Sequence, residues 1–227
     1  MGDATPVFIF GAVIALIIIG AIMSGIAARK RREAFAALAT RLGLTFSPEH
    51  DTDISSRFEF LNKLSQGSNR YAYNILSGHH RGHSVLAFDY HYETHSTDSK
   101  GNRRTDHHHF SFFILTLERS FPELTIASEG IFSKFAQALG YDDIDFESHE
   151  FSRKFCVRSR DKKFAYDVCH ARMMEYLLAN DDLVIEIEDA ALALAFARRL
   201  ASDAIEPNLE RLVQVRSLLP NYLFANT

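Results

Sequence analysis

The longest uninterrupted apolar stretch of the chain lies near its N-terminus. From Val7 to Ala28 the residues run VFIFGAVIALIIIGAIMSGIAA without a charged side chain, and the basic cluster Arg29–Arg32 follows directly. As an α-helix this stretch would be roughly 33 Å long, against about 30 Å of hydrocarbon in a bilayer. No polar face interrupts it, which disfavours the alternative of a helix buried in a soluble core. The pattern therefore predicts a membrane-spanning helix.

The charges around this stretch predict its topology. A cleavable signal peptide has basic residues before a shorter apolar core, whereas the charge before this run is Asp3 alone, so we expect an uncleaved anchor. Because basic residues are retained on the cytoplasmic side, we expect a single-pass protein of the cell inner membrane, with its N-terminus outside and its C-terminal domain in the cytoplasm. The chain is thereby divided into a transmembrane anchor, residues 1–28, and a cytoplasmic domain, residues 29–227.

The anchor predicts two kinds of partner. Its basic cluster suits the anionic head groups of membrane lipid. Small residues spaced four apart on adjoining helix faces would let two such helices approach closely, which predicts a homodimer. These residues are Gly20, Ser24, Ala21 and Gly25. Small residues are common in membrane helices generally, so the alternative is that they have no partner.

Beyond the anchor, apolar residues alternate with polar ones in some segments and recur at helical spacing in others. Alternation bounded by turn residues predicts strands at 71–77, 84–93, 110–117, 124–127, 144–147, 155–158, 183–188 and 191–196. Helical spacing predicts helices at 33–42, 131–139, 166–178 and 207–219. The expected fold class is therefore α+β, with one N-terminal transmembrane helix plus a mainly antiparallel sheet domain packed with helices.

Composition and motifs exclude several classes of function. The formal net charge is −4 and the body carries no basic stripe, so no nucleic-acid partner is predicted. The sequence contains no G-x-S-x-G, no phosphate-binding glycine loop and no G-x-G-x-x-G. Cys156 and Cys169 have apolar neighbours and are expected to be reduced core residues. The sequence predicts no catalytic residue and no cofactor.

Histidine is concentrated in one part of the chain, since eight of the eleven histidines lie between His79 and His109. The stretch from Glu93 to His109 has no apolar residue, which predicts a long solvated loop between two strands. If these strands pair with Tyr90 opposite Phe110, one face of the hairpin is apolar and buried. The other face then gathers imidazole and carboxylate groups at the loop end, from His91, Glu93, His107 and His109.

These four residues are candidate metal ligands. Imidazole and carboxylate groups in combination bind zinc, nickel and ferrous iron. The alternative is that His91, Glu93, His107 and His109 are polar residues on the solvated end of a hairpin and bind nothing. The chain has no H-E-x-x-H and no cysteine pair that would strengthen the prediction of a metal site.

Several segments of the body are shared with a known group of proteins. They are RLGLTF at 41–46, VLAFDYHY at 85–92, HHFSFFILTL at 108–117, the link Glu129–Gly130, and FAYDVCHARMMEYLL at 164–178. In these segments the chain resembles a family of uncharacterised bacterial single-pass membrane proteins with a cytoplasmic domain of unknown function. The resemblance covers most of residues 30–224. It implies no activity, because the family has no assigned reaction to carry over.

Two classes of function fit these observations. The favoured class is a membrane-anchored cytoplasmic binding or scaffolding module, and the alternative is a metal-dependent enzyme that uses the histidine-rich hairpin. The predicted loop Thr94–Asp106 carries charges of both signs. Such a loop suits a weak, salt-dependent contact, which predicts a protein partner.

Overall fold

Residues 5–131 and 143–225 are described by the computed structural model, and within them the chain forms a six-stranded antiparallel sheet. The strands are β1 (Thr45–Ser47), β2 (Ser68–His80), β3 (His83–Thr97), β4 (Arg103–Ser128), β5 (Phe155–Ser159) and β6 (Val184–Ala195). They pair in the order β1-β2-β3-β4-β5, and β6 also pairs with β4. The long strand β4 therefore holds the sheet together, because three other strands pair with it.

Helices precede, follow and interrupt the strands. They are α1 (Thr5–Leu42), α2 (Asp53–Arg57), α3 (His149–Lys154), α4 (Lys162–Val168), α5 (Ala171–Leu178) and α6 (Ile205–Leu218). Two of the short helices begin at residues whose side chains accept a hydrogen bond from the first turn. Ser148 accepts from the backbone N–H of Phe151, and Asp161 accepts from that of Phe164. These caps satisfy backbone donors that a helix start leaves without partners.

The two faces of the sheet have separate hydrophobic cores. On β4, Phe113 and Leu115 point into the larger core, which includes residues of α1 and of α3 to α6. Phe112 and Ile114 point to the other face, where Ile54 of α2 helps to cover them. Successive strand residues face opposite sides, so one stretch of aromatic and aliphatic residues supplies both cores.

The α+β class with a mainly antiparallel sheet is confirmed, but several element boundaries differ from the prediction. The predicted strands 110–117 and 124–127 are both parts of β4, and the predicted pair 183–188 and 191–196 is the one strand β6. The predicted helix 166–178 is divided between α4 and α5. Residues 144–147 form no strand. The predicted helix 131–139 lies almost wholly outside the described residues.

The prediction of a membrane-spanning helix is wrong for the described chain. Helix α1 continues from Thr5 to Leu42, through the basic residues Arg29–Arg32 and without a break into the part that packs on the sheet. Within residues 5–131 and 143–225, no helix combines the length and the apolar character that a membrane crossing requires. The predictions of a transmembrane anchor and of a single-pass, inner-membrane protein with its N-terminus outside are therefore wrong for the residues that the structure describes.

The last turns of α1 belong to the core of the domain. Phe35, Leu38 and Ala39 are buried in the larger core. The helix ends where Gly43 adopts a φ of 69°, a left-handed conformation that glycine takes without strain. The predicted helix 33–42 is thus confirmed as the final part of α1, and it packs onto the sheet.

A buried ion pair also joins α1 to the sheet. Arg31 Nε and Nη2 donate to the two carboxylate oxygens of Asp89, each at 2.6 Å. Arg31 Nη1 donates to the carbonyl oxygen of Leu200 at 2.7 Å. Asp89 further accepts hydrogen bonds from Asn74 Nδ2 at 2.9 Å and from Ser111 Oγ at 3.1 Å. Both charged groups are therefore paired and hydrogen-bonded, as burial of charge requires.

Replacing Arg31 with methionine should destabilise the protein strongly. The Arg31→Met variant leaves the buried carboxylate of Asp89 without its charge partner, so we expect the free energy of unfolding to fall by about 3–5 kcal/mol in urea titrations. The exposed Arg32 provides the control, because Arg32→Met should change that free energy by less than about 0.5 kcal/mol. Equal effects of the two substitutions would contradict the role given to the ion pair.

The cysteines should be unreactive in the folded protein. Both thiols are buried and free, which confirms the predicted core placement. Burial raises the pKa of Cys156 to about 12, and it raises the pKa of Cys169 as well. Because the thiolate is the nucleophile, a disulfide reagent at pH 8 should label neither cysteine until urea is added. Stoichiometric labelling of the native protein would show that this packing is wrong.

Candidate functional site

The candidate site lies on the hairpin formed by β3 and β4. Tyr90 pairs with Phe110, as the alternation of apolar residues predicts, and the register is thereby confirmed. In the same ladder His91 lies opposite His109, and Glu93 lies opposite His107. The apolar face of this hairpin is buried in the second core. The polar face consequently presents imidazoles and a carboxylate side by side.

The prediction of a long loop at the tip of this hairpin is wrong. The β3–β4 ladder continues from Thr94 opposite Asp106 to Thr97 opposite Arg103, so the turn is confined to residues 98–102. Asp98 stabilises this turn by accepting hydrogen bonds from the backbone N–H groups of Lys100 and Asn102, at 2.8 and 2.9 Å. Backbone pairing needs no apolar side chains, so polar residues could extend the hairpin.

Three of the four predicted ligands converge. His91 Nε2 lies 3.1 Å from His107 Nδ1, which lies 3.4 Å from Glu93 Oε1. The third distance, between His91 Nε2 and Glu93 Oε1, is 4.0 Å. In a tetrahedral site with ligands at about 2.1 Å from the metal, the ligand atoms lie about 3.4 Å apart. Small side-chain movements would therefore let these three atoms share one metal ion.

The three side chains differ in burial. The exposed fraction is 3% for His91, 15% for Glu93 and 58% for His107. The cluster therefore has one ligand fixed inside the domain and one at the surface. An ion could enter from the side of His107 without opening the fold.

Asn69 of β2 orients two of the three groups. Its backbone carbonyl oxygen lies 3.0 Å from His91 Nδ1. Because a carbonyl can only accept, Nδ1 carries the proton and Nε2 presents its lone pair to the cluster. The side chain of Asn69 donates from Nδ2 to Glu93 Oε1 at 2.7 Å. Outer contacts of this kind fix the tautomer and direction of metal ligands.

Close packing between the start of β2 and β3 also fixes the part of β3 that carries Glu93. Gly67 has a φ of 65°, and a Cβ atom at this position would lie 2.3 Å from the carbonyl oxygen of Glu93. Two residues later, Asn69 has a φ of 48°, also in the left-handed region. The ring of Tyr71 stacks on the imidazole of His91, with ring centroids 4.6 Å apart. Residues 67–71 thus form the support of the site.

The fourth predicted ligand, His109, lies beside the cluster without joining it. Its ring centroid is 4.9 Å from that of His91, but its Nδ1 lies 3.0 Å from the hydroxyl oxygen of Tyr73. Arg199 Nη1 donates to the same hydroxyl at 3.4 Å. Burial lowers the pKa of His109, and the neighbouring His91 and Arg199 lower it further. Among the described residues, the group with metal-ligand spacing is His91, Glu93 and His107.

The supporting residues were not identified from the sequence. Tyr71 and Tyr73 lie in the predicted strand 71–77, and Asn69 lies just before it. Nothing in the pattern distinguishes these residues as partners of histidine. The one available signal is the position of Gly67 and Asn69, two residue types that tolerate left-handed backbone, just before an apolar strand.

Comparisons with known proteins identify a shared fold but do not assign the chain to a family. No protein-family model matches the chain, and no curated protein matches it. Among solved structures, the crystal structure of the mycobacterial trehalose monomycolate transport factor A, TtfA, is similar, with a TM-score of 0.61. The match covers 85% of this chain and 93% of that chain, at 14% sequence identity. Identity this low shows a shared fold alone, so the resemblance drawn from the sequence segments stays a prediction.

The Asn69 contact should set the acidity of Glu93. The hydrogen bond from Asn69, followed by the nearby histidines, lowers the pKa of Glu93. Asn69→Gly keeps the left-handed backbone accessible and removes the donor, so the pKa of Glu93 should rise towards its ordinary value in a carboxyl-carbon NMR titration. Asn102→Gly is the matched control, because Asn102 donates to Asp98 in the turn. A Glu93 pKa that is the same in both variants would contradict this assignment.

Proposed function

We propose that this chain is a binding module that holds a divalent transition-metal ion at the end of the β3–β4 hairpin. The observation that carries the proposal is the convergence of His91, Glu93 and His107, whose ligand atoms lie within 4.8 Å of one another. Two of these residues are held in direction by Asn69, which supports a pre-organised site. The proposal thus gives the predicted binding module a class of ligand, transition-metal ions, and a binding site at the end of the β3–β4 hairpin.

The donor atoms indicate the kind of metal. Two imidazole nitrogens and one carboxylate oxygen suit zinc, nickel or ferrous iron, whereas calcium and magnesium prefer oxygen ligands throughout. In the arrangement described, His107 Nδ1 is directed at the lone pair of His91 Nε2. To bind a metal through Nδ1, His107 must carry its proton on Nε2 instead, a change of tautomer that leaves the ring neutral.

Three protein ligands leave at least one coordination position open. Water fills such a position in many protein sites, and a donor atom from another molecule can replace it. The exposed edge of His107 is where this position would face. A protein partner, the class predicted from the charges of the hairpin, would then contact the module at the metal and be released when the metal is removed.

Metal titration of the tag-free, EDTA-treated protein tests the proposal. Calorimetry with zinc and nickel should show one ion bound per chain, and metal analysis of the dialysed complex should give the same ratio. His91→Ala and His107→Ala each remove a ligand, so affinity should fall by more than the roughly 10–100-fold that loss of an outer-shell partner costs.

The matched control is His79→Ala. His79 is exposed and lies outside the cluster, so its removal should leave the affinity within about twofold of the wild type. Absence of stoichiometric binding, or an affinity unchanged by His91→Ala, would reject the site. Circular dichroism of each variant shows whether the fold is intact, and Glu93→Gln provides a third ligand substitution that conserves volume.

A further inference from the structure

A cavity lies where β4 continues past the end of β6. Strand β6 pairs with β4 only as far as Phe112 opposite Ala195, whereas β4 extends on to Arg103. A cavity of about 440 Å³ occupies this place, with Ala197 on one side and residues 107–110 of β4 on the other. Cavities of about 300–1,000 Å³ are the usual size for small-molecule sites.

Flat aromatic rings form part of its wall. The imidazole of His108 stacks on the ring of Tyr92, with centroids 4.5 Å apart and planes 14° apart. Phe110 lies edge-on to Tyr92, with a centroid separation of 6.0 Å. His108 Nε2 lies 2.8 Å from Thr94 Oγ1, and this contact fixes the stacked ring. The ring of His108 is therefore held in place, and its other face offers a surface on which a flat group can stack.

A cationic group lies at the same wall. Lys63 is 5% exposed, and its Nζ lies 5.0 Å from the ring centroid of Phe110 and 5.6 Å from that of Tyr92. Nζ is also 3.4 Å from Gln66 Oε1. Burial lowers the pKa of Lys63 to about 8, although Glu186 acts in the opposite direction. The ammonium form therefore prevails at neutral pH in surroundings that penalise its charge.

We propose that this cavity binds a small organic anion with a flat apolar body, of the aromatic carboxylate class. The carboxylate would pair with the ammonium group of Lys63, and the ring would stack on the face of His108 that Tyr92 does not cover. A ligand of this kind stabilises the buried charge and covers the aromatic wall at once, which neither an inorganic anion nor a neutral aromatic molecule does. His107, a proposed metal ligand, also borders the cavity, but the proposal rests on Lys63, Tyr92 and His108, which are not among those ligands.

The test uses the full chain after EDTA treatment, with three probes compared by NMR and calorimetry. Benzoate has the charge and the ring, benzamide has the ring alone, and inorganic phosphate has the charge alone. We expect saturable binding of benzoate, with signal changes at His108 and Tyr92, and an affinity at least about tenfold greater than for either other probe. Equal binding of benzamide or of phosphate, or no saturable binding of benzoate, would overturn the proposal.

Substitution of Lys63 is the second part of the test. Lys63→Met keeps the length of the side chain and removes its charge, so benzoate affinity should fall by about 10–100-fold. Lys162→Met, at an exposed position, is the control and should bind benzoate as the wild type does. If Lys63→Met fails to fold, the NMR signals of Lys63 Cε and Nζ in the wild type test the contact between the lysine and benzoate instead. Those signals should shift on benzoate addition, and unchanged signals would overturn the proposal.

Discussion

The buried pair between Arg31 and Asp89 is the constraint on which the arrangement of the domain depends. It joins α1 to β3, and its hydrogen bonds extend to Asn74 of β2 and Ser111 of β4. Ser111 Oγ in turn accepts from the backbone N–H of Leu200, which follows β6. Because a buried charge must keep its partners, one polar network fixes the relative positions of a helix, three strands and the chain after β6.

The candidate metal site continues this polar network along the same strand face. Asp89 lies two residues before His91 on β3, so both side chains point to one side of the sheet. The ion pair holds the strand at Asp89, and Asn69 holds the next two polar groups, His91 and Glu93. The site is thus supported by contacts that belong to the fold.

The proposed metal site and the proposed anion cavity lie at the same end of one hairpin, and His107 borders both. His91 and His107 point to one face, whereas Tyr92 and His108 point to the other. The aromatic face is held by stacking and the polar face by hydrogen bonds. The similarity to TtfA at 14% identity shows that this fold tolerates wide sequence change, so the chemistry of this chain must be argued from its own residues.

The sequence by itself determined the register of the central hairpin and, through it, three neighbours in the candidate site. Shifting the register by one residue would have exposed Phe112 and Ile114, so the apolar alternation permitted one pairing. It could not distinguish Arg31 from the other basic residues of its cluster, because only the docked helix brings this side chain to Asp89. It also could not identify Asn69, whose role depends on a left-handed backbone and on contact across two strands. Local patterns record which side chains share a face, whereas partners distant in the chain are decided only when helices and strands pack together.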